Sequence, residues 1–180
     1  MKNDKRIRLL IVLLLVFVVG AFLFMFGGNI FNGSGSGGSN KTNIDYTTVT
    51  PANGVTEEIT KGVKVEQYFV CPVDTVSNVA VVFSRQYSVE DCEISIELLE
   101  GKNVLAKQTY NVKDIEDQHR TYLETGLPIS GLKNKELMLR IRPVTESDTG
   151  LAIMMNDSTG GVFSFDKKNV KGTLCFSVSE

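Results

Sequence analysis

The sequence predicts an all-β domain, an antiparallel β-sandwich, carried behind a single N-terminal transmembrane helix. Three observations predict it. Residues 9 to 26 are continuously apolar, residues 27 to about 43 are mostly Gly, Ser and Asn, and from about Asn53 onward apolar side chains recur with a period of two.

The apolar run, LLIVLLLVFVVGAFLFMF, contains no charge. As a helix rising 1.5 Å per residue it spans roughly 27 Å, close to the hydrocarbon thickness of a bilayer. Lys2, Lys5, Arg6 and Arg8 precede it against a single Asp4. Cationic flanks stay on the cytoplasmic side, so residues 1–8 are read as a cytoplasmic head and the C-terminal domain as extracytoplasmic. A cleaved signal peptide shares the basic head and apolar run. Its apolar core is shorter, however, and no A-x-A-like site follows Phe26, so the uncleaved anchor is the preferred reading. The lipid bilayer is thus the first predicted partner, met through residues 9–26, and the localisation is a single-pass cell-membrane protein.

Residues 27–50 read as a flexible Gly/Ser linker, and residues 51–180 as the extracytoplasmic β-sandwich. Three N-x-[ST] triplets fit the N-glycosylation pattern: Asn32-Gly33-Ser34, Asn40-Lys41-Thr42 and Asn156-Asp157-Ser158. The whole chain carries a net charge of −2. Without residues 1–8, Lys plus Arg falls from 19 to 15 and Asp plus Glu from 21 to 20, leaving −5. An acidic domain lacks the clustered Lys and Arg that phosphates demand, which excludes nucleic acid as a partner.

The strands follow in order. Val63 to Cys71 places Val65, Gln67, Phe69 and Cys71 on one face. Asn78 to Ser84 is apolar on both faces, as in a central strand. Cys92 to Leu98 alternates strictly, with Cys92, Ile94, Ile96 and Leu98 inward and Glu93, Ser95 and Glu97 outward. Glu100-Gly101-Lys102-Asn103 is a turn signal joining this strand to Val104–Tyr110. Arg120 to Thr125 is the next strand. Leu137 to Arg142 turns Leu137, Leu139 and Ile141 inward and Arg140 and Arg142 outward. Leu151–Met155, Val162–Phe165 and Thr173–Val178 complete nine strands. One helical turn is expected near Val112–Asp117, and Gly160-Gly161 reads as a turn. The expected core is Phe69, Val81, Phe83, Ile94, Ile96, Leu98, Leu139, Ile141, Phe163 and Phe176. Many short strands with hairpin connections indicate a sandwich or barrel.

The three cysteines are Cys71, Cys92 and Cys175. No pair has C-x-x-C spacing. Alternation turns Cys71 and Cys92 inward, where a thiol behaves as a small hydrophobe; a Cys71–Cys92 bridge is the competing reading.

The order of segments resembles the jelly-roll, galactose-binding-like extracytoplasmic modules of bacterial cell-surface polysaccharide and glycosyl-transfer membrane proteins. The residues that carry the resemblance are Glu66-Gln67-Tyr68-Phe69, Val76 to Val81, Ile96 to Lys102, Val112 to Asp117, Leu127-Pro128-Ile129, Leu137 to Ile141 and Gly172 to Phe176. It covers roughly residues 60 to 178. It implies a jelly roll, a bacterial origin and a link to carbohydrate. The chain differs from such modules in having one membrane segment and no Trp.

Few residues carry chemistry. His119 is the sole histidine, and no G-x-S-x-G elbow surrounds Ser84, Ser88 or Ser130, so no enzyme is expected. The carboxylates Asp114, Glu116 and Asp117 are the candidates for a structural Ca²⁺, although the run lacks the Gly and spacing of an EF-hand. No other cofactor is expected. Tyr87 and Tyr122 are the candidate sugar-stacking side chains, with Tyr110 beside them, and Arg120 is the candidate hydrogen-bond donor, with Arg85 and Arg142 as further ones. The functional expectation is a non-catalytic, membrane-anchored binding module for cell-envelope glycan or a membrane-protein partner. Its alternative is a structural accessory subunit of a membrane complex, packed through residues 9–26.

Overall fold

Twelve strands form in the computed structural model, which describes residues 44–85 and 91–180. They are β1 (Gly54–Val55), β2 (Val65–Val70), β3 (Val76–Arg85), β4 (Glu93–Glu100), β5 (Asn103–Asn111), β6 (Arg120–Ile129), β7 (Glu136–Pro143), β8 (Leu151–Asn156), β9 (Val162–Phe165), β10 (Lys168–Lys171), β11 (Thr173–Leu174) and β12 (Phe176–Ser179). The head 1–8, the apolar segment 9–26, the linker as far as residue 43, Ser88 and Tyr87 lie outside the described residues. Among the described residues no helix is long and apolar enough to cross a membrane.

The strands make two antiparallel sheets, a β-sandwich. Sheet I runs β1–β8–β3–β12, with β11 beside β8 and β6 beside β3; sheet II runs β10–β9–β2–β7–β4–β5. The run Asn78–Ser84, apolar on both faces, lies in β3, which pairs with β6, β12 and β8 in turn. All ten expected core residues are buried between the sheets.

Each of the nine expected strands is present, and the last is divided. At Cys175 the chain steps from β8 to β3: the Cys175 N–H donates to Met154 O, and the Val82 N–H donates to Cys175 O. Two strands were not expected. Residues of β1 lack alternation because the strand is two residues long. Strand β10, Lys-Asn-Val-Lys, is too polar to show a buried face because it is a sheet edge, where lysines discourage further pairing. A two-residue turn, Asp166-Lys167, reverses the chain between β9 and β10 with positive φ at both residues (47° and 66°), the hairpin geometry that matches strand twist. The expected helical turn is a short 3-10 segment, Val112–Asp114.

Two features go beyond the sequence pattern. The folded domain takes up the chain before residue 51. Tyr46 is buried with its ring 4.8 Å from Phe176 and 5.3 Å from Phe69, and Ile44 packs against the same cluster. A lone tyrosine in a polar stretch gives no periodic signal, so the sequence could not place it. Secondly, Ser95 and Glu97 do face outward from sheet II but are buried, at 0% and 2% exposed. β4 is flanked by β5 and β7, and the long side chains of Lys107, Arg140 and Arg142 lie across Glu97.

A groove at the seam of the two sheets as candidate functional site

The two sheets meet at one side through their edge strands, β5 of sheet II and β6 of sheet I. An edge strand presents unpaired backbone N–H and C=O groups. Here β5 side chains satisfy two of them. The Glu124 N–H donates to Gln108 Oε1 (3.1 Å), and the Tyr110 hydroxyl donates to the Tyr122 carbonyl. These bonds zip the sandwich shut along the seam and leave a groove of about 800 Å³ above it.

The chain between β5 and β6 forms one end of the groove, and its shape follows from local bonds. Asn111 caps the 3-10 segment, its side chain accepting from the Lys113 N–H (3.0 Å) and donating to Asp91 Oδ1 (2.8 Å). Val112 and Ile115 are buried and pin the segment to the core. Gln118, at φ 58°, donates its N–H to Phe83 O (2.9 Å), and Asp117 Oδ1 accepts the Arg85 N–H (2.8 Å). The loop is therefore tied to the end of β3 by backbone and side chain alike.

This brings the sequence candidates Arg120 and Tyr122 together with Asp114 and Glu116 in the groove lining, alongside His119, Glu124 and Tyr110. Arg120, Tyr122 and Glu124 alternate with the buried Thr121 and Leu123, so they project from one face of β6. Tyr122 is 44% exposed, leaving a ring face open to solvent. Burial, and secondarily the Glu124 carboxylate, raise the Tyr110 hydroxyl above the ordinary tyrosine value, which keeps it a donor to β6. His119 is exposed; its Nδ1 lies 2.9 Å from the Asp117 carbonyl, which it meets as an N–H donor, and 3.7 Å from Glu116 Oε2.

Other candidates lie elsewhere. Tyr87 is outside the described residues. Asp117 points to the Arg85 backbone rather than into the groove. Asp114, Glu116 and Asp117 do not converge: among the described residues no three carboxylate, His or Cys side chains form a cation-holding group. Of the three Ca²⁺ candidates, Asp117 is engaged with the Arg85 N–H at the end of β3. Ser130 Oγ meets Thr75 Oγ1 at 3.2 Å, and Ser84 is buried in β3, so neither partners His119. Arg142 belongs to the outer face of sheet II. Cys71 and Cys175 are free, buried thiols, as the inward alternation of Cys71 led one to expect; Cys92 is also buried, its Sγ 3.6 Å from Asp148 O. The amide of Asn156 in the third N-x-[ST] triplet is engaged twice, donating to Pro51 O and accepting from the Ser158 N–H. Sequence reasoning missed Gln108 as a groove residue. An isolated glutamine on a strand carries no signal until the neighbouring edge is known.

Comparison with protein-family models gives no match, and comparison with curated proteins gives no similar sequence. What fold and site define is a class: a two-sheet antiparallel β-sandwich with a polar, tyrosine-lined groove along one seam.

Proposed function

We propose that the protein is a membrane-anchored, extracytoplasmic binding module of jelly-roll type that takes a cell-envelope glycan in the seam groove. The observation that carries this reading is the convergence of an open tyrosine face, a guanidinium, carboxylates and a glutamine in one groove. A sugar ring offers C–H faces and pairs of hydroxyls. An aromatic ring meets the first, and planar side chains with paired donors or acceptors meet the second. In this reading Tyr122 is the platform, Arg120 the donor fork, and Asp114, Glu116 and Glu124 the acceptors. The placement outside the cell rests on the basic head and the apolar run of residues 9–26.

A glycan array probed with the purified full chain, followed by calorimetry on its hits, tests the reading. Bound glycan should lose affinity about tenfold or more, or ~1.4 kcal/mol, in both Tyr122→Ala and Arg120→Ala. A chain that binds no glycan, or a hit indifferent to both substitutions, sinks it. A C-terminal reporter active only outside the cytoplasm tests the orientation separately.

A further inference from the structure

We infer that the outer face of sheet II, away from the seam groove, is a second binding surface that takes a linear anionic polysaccharide. The strand registers place two tracks side by side across this face. One is charged: Glu66 pairs with Arg140, Arg140 with Glu97, and Glu97 with Lys107, so the row crosses β2, β7, β4 and β5. Arg142 stands in the next row, opposite Ser95. The other track is apolar: Tyr68, two residues along β2 from Glu66, faces Met138 on β7, with Leu99 and Val104 beyond it; Met138 and Leu99 are buried, so Tyr68 and Val104 are its exposed members. Adjacent rows lie roughly 7 Å apart and successive strands about 4.8 Å apart.

The sign of the exposed charge follows from which ends are covered. Glu97 is 2% exposed and receives Arg142 Nη2 at 2.9 Å, Lys107 Nζ at 3.4 Å and Arg140 Nη1 at 3.5 Å. Glu66 takes a second Arg140 nitrogen at 2.7 Å. Three cations thus share two carboxylates, one of them covered, while the Arg142 and Lys107 side chains remain 40% and 46% exposed. The row itself is therefore cationic by one charge, while Glu93 and Glu136, exposed on the same face, stand outside it at the two ends of β4 and β7. Beside it Tyr68, Val70 and Val162 are 57%, 48% and 53% exposed, a larger apolar cluster than scattered surface residues make. A uronate polymer matches both tracks: its ring faces lie on the apolar side and its carboxylates, one per ring, reach the guanidinium and ammonium groups.

The test uses the full chain and a fluorescent oligogalacturonate of about ten rings, with a neutral oligoglucan of equal length as control. The uronate should bind and the glucan should not, and binding should weaken with salt. Lys107→Glu, a substitution at an exposed position, should weaken binding about tenfold, and Arg142→Glu should do the same with the melting temperature read alongside. Tyr68→Ala should also weaken it, which simple counterion attraction would not require. Glu97→Gln should tighten it severalfold, because it releases three cations. Absence of uronate binding at ~1 mM, equal binding of the glucan, or indifference to Lys107→Glu overturns the inference. Association with phosphatidylglycerol vesicles that Lys107→Glu and Arg142→Glu reduce, without uronate binding, would reassign the face to lipid. Tyr122→Ala should leave uronate binding intact, so this surface and the groove fail or stand separately.

Discussion

Gln67, at the centre of β2, accepts the backbone N–H of Leu174 through Oε1 at 3.1 Å, a bond between the two sheets made in the core. Gln67 is 1% exposed, and its Nε2 lies 3.4 Å from the Val162 and Tyr68 carbonyls. A buried amide is tolerated only when it is paired, and pairing across sheets fixes how they sit. Gln67→Leu keeps the volume but orphans the Leu174 N–H. It should cost about 1–3 kcal/mol, read as a lower urea midpoint at unchanged slope. An unchanged midpoint would show that water or a shifted β11 satisfies that N–H.

The ion cluster on sheet II sets a pH dependence. Burial pushes the Glu97 carboxyl up, but Arg142 and Lys107 outweigh it and hold the group below the ordinary glutamate value. A depressed folded value means stability present above the unfolded value and lost as pH falls through the folded one. Unfolding free energy should therefore decline on acidification below the ordinary glutamate range. Glu97→Gln should flatten that part of the profile. An identical acid limb in wild type and variant would assign the loss to other carboxylates.

The thiols should be silent in the native protein. Burial pushes the Cys175 thiol up to about 11, and it also raises Cys71. The thiolate is the reactive form, so both should resist alkylation at pH 8 and react only on unfolding. The expected count is no modified cysteine in buffer within minutes and full modification in denaturant, measured by mass spectrometry. Rapid native labelling of Cys175 would contradict its burial.

Two glycines should respond differently to alanine. Gly172 has φ 131°, and a Cβ there would stand 2.8 Å from Met155 Cε and 2.9 Å from the Asn156 carbonyl. Gly62 also has positive φ, 77°, but open space around it. Gly62→Ala carries only the left-handed backbone cost of about 1–2 kcal/mol, whereas Gly172→Ala adds a collision with backbone. The melting temperature should fall further for Gly172→Ala, and the reverse order would refute this close approach.

Much of the sandwich was legible because strand alternation is a local property. Val65, Gln67, Phe69 and Cys71 share a face whatever lies opposite them, and the hairpin through Gly101 follows from adjacent residues. Arg120 and Tyr122 were legible as a pair for the same reason, being two apart on one strand. The amino-acid pattern by itself therefore determined the all-β class, the positions of nine strands and the identity of the core. Pairing between distant strands decided the rest. It buried Glu97 beneath cations from two other strands, drew Tyr46 into the core, and set the polar β10 on an edge. It also carried Gln108 and Tyr110 of one sheet to the backbone of β6 in the other. A groove made where two edge strands meet depends on which strands become edges, and that is settled only when the sheets close.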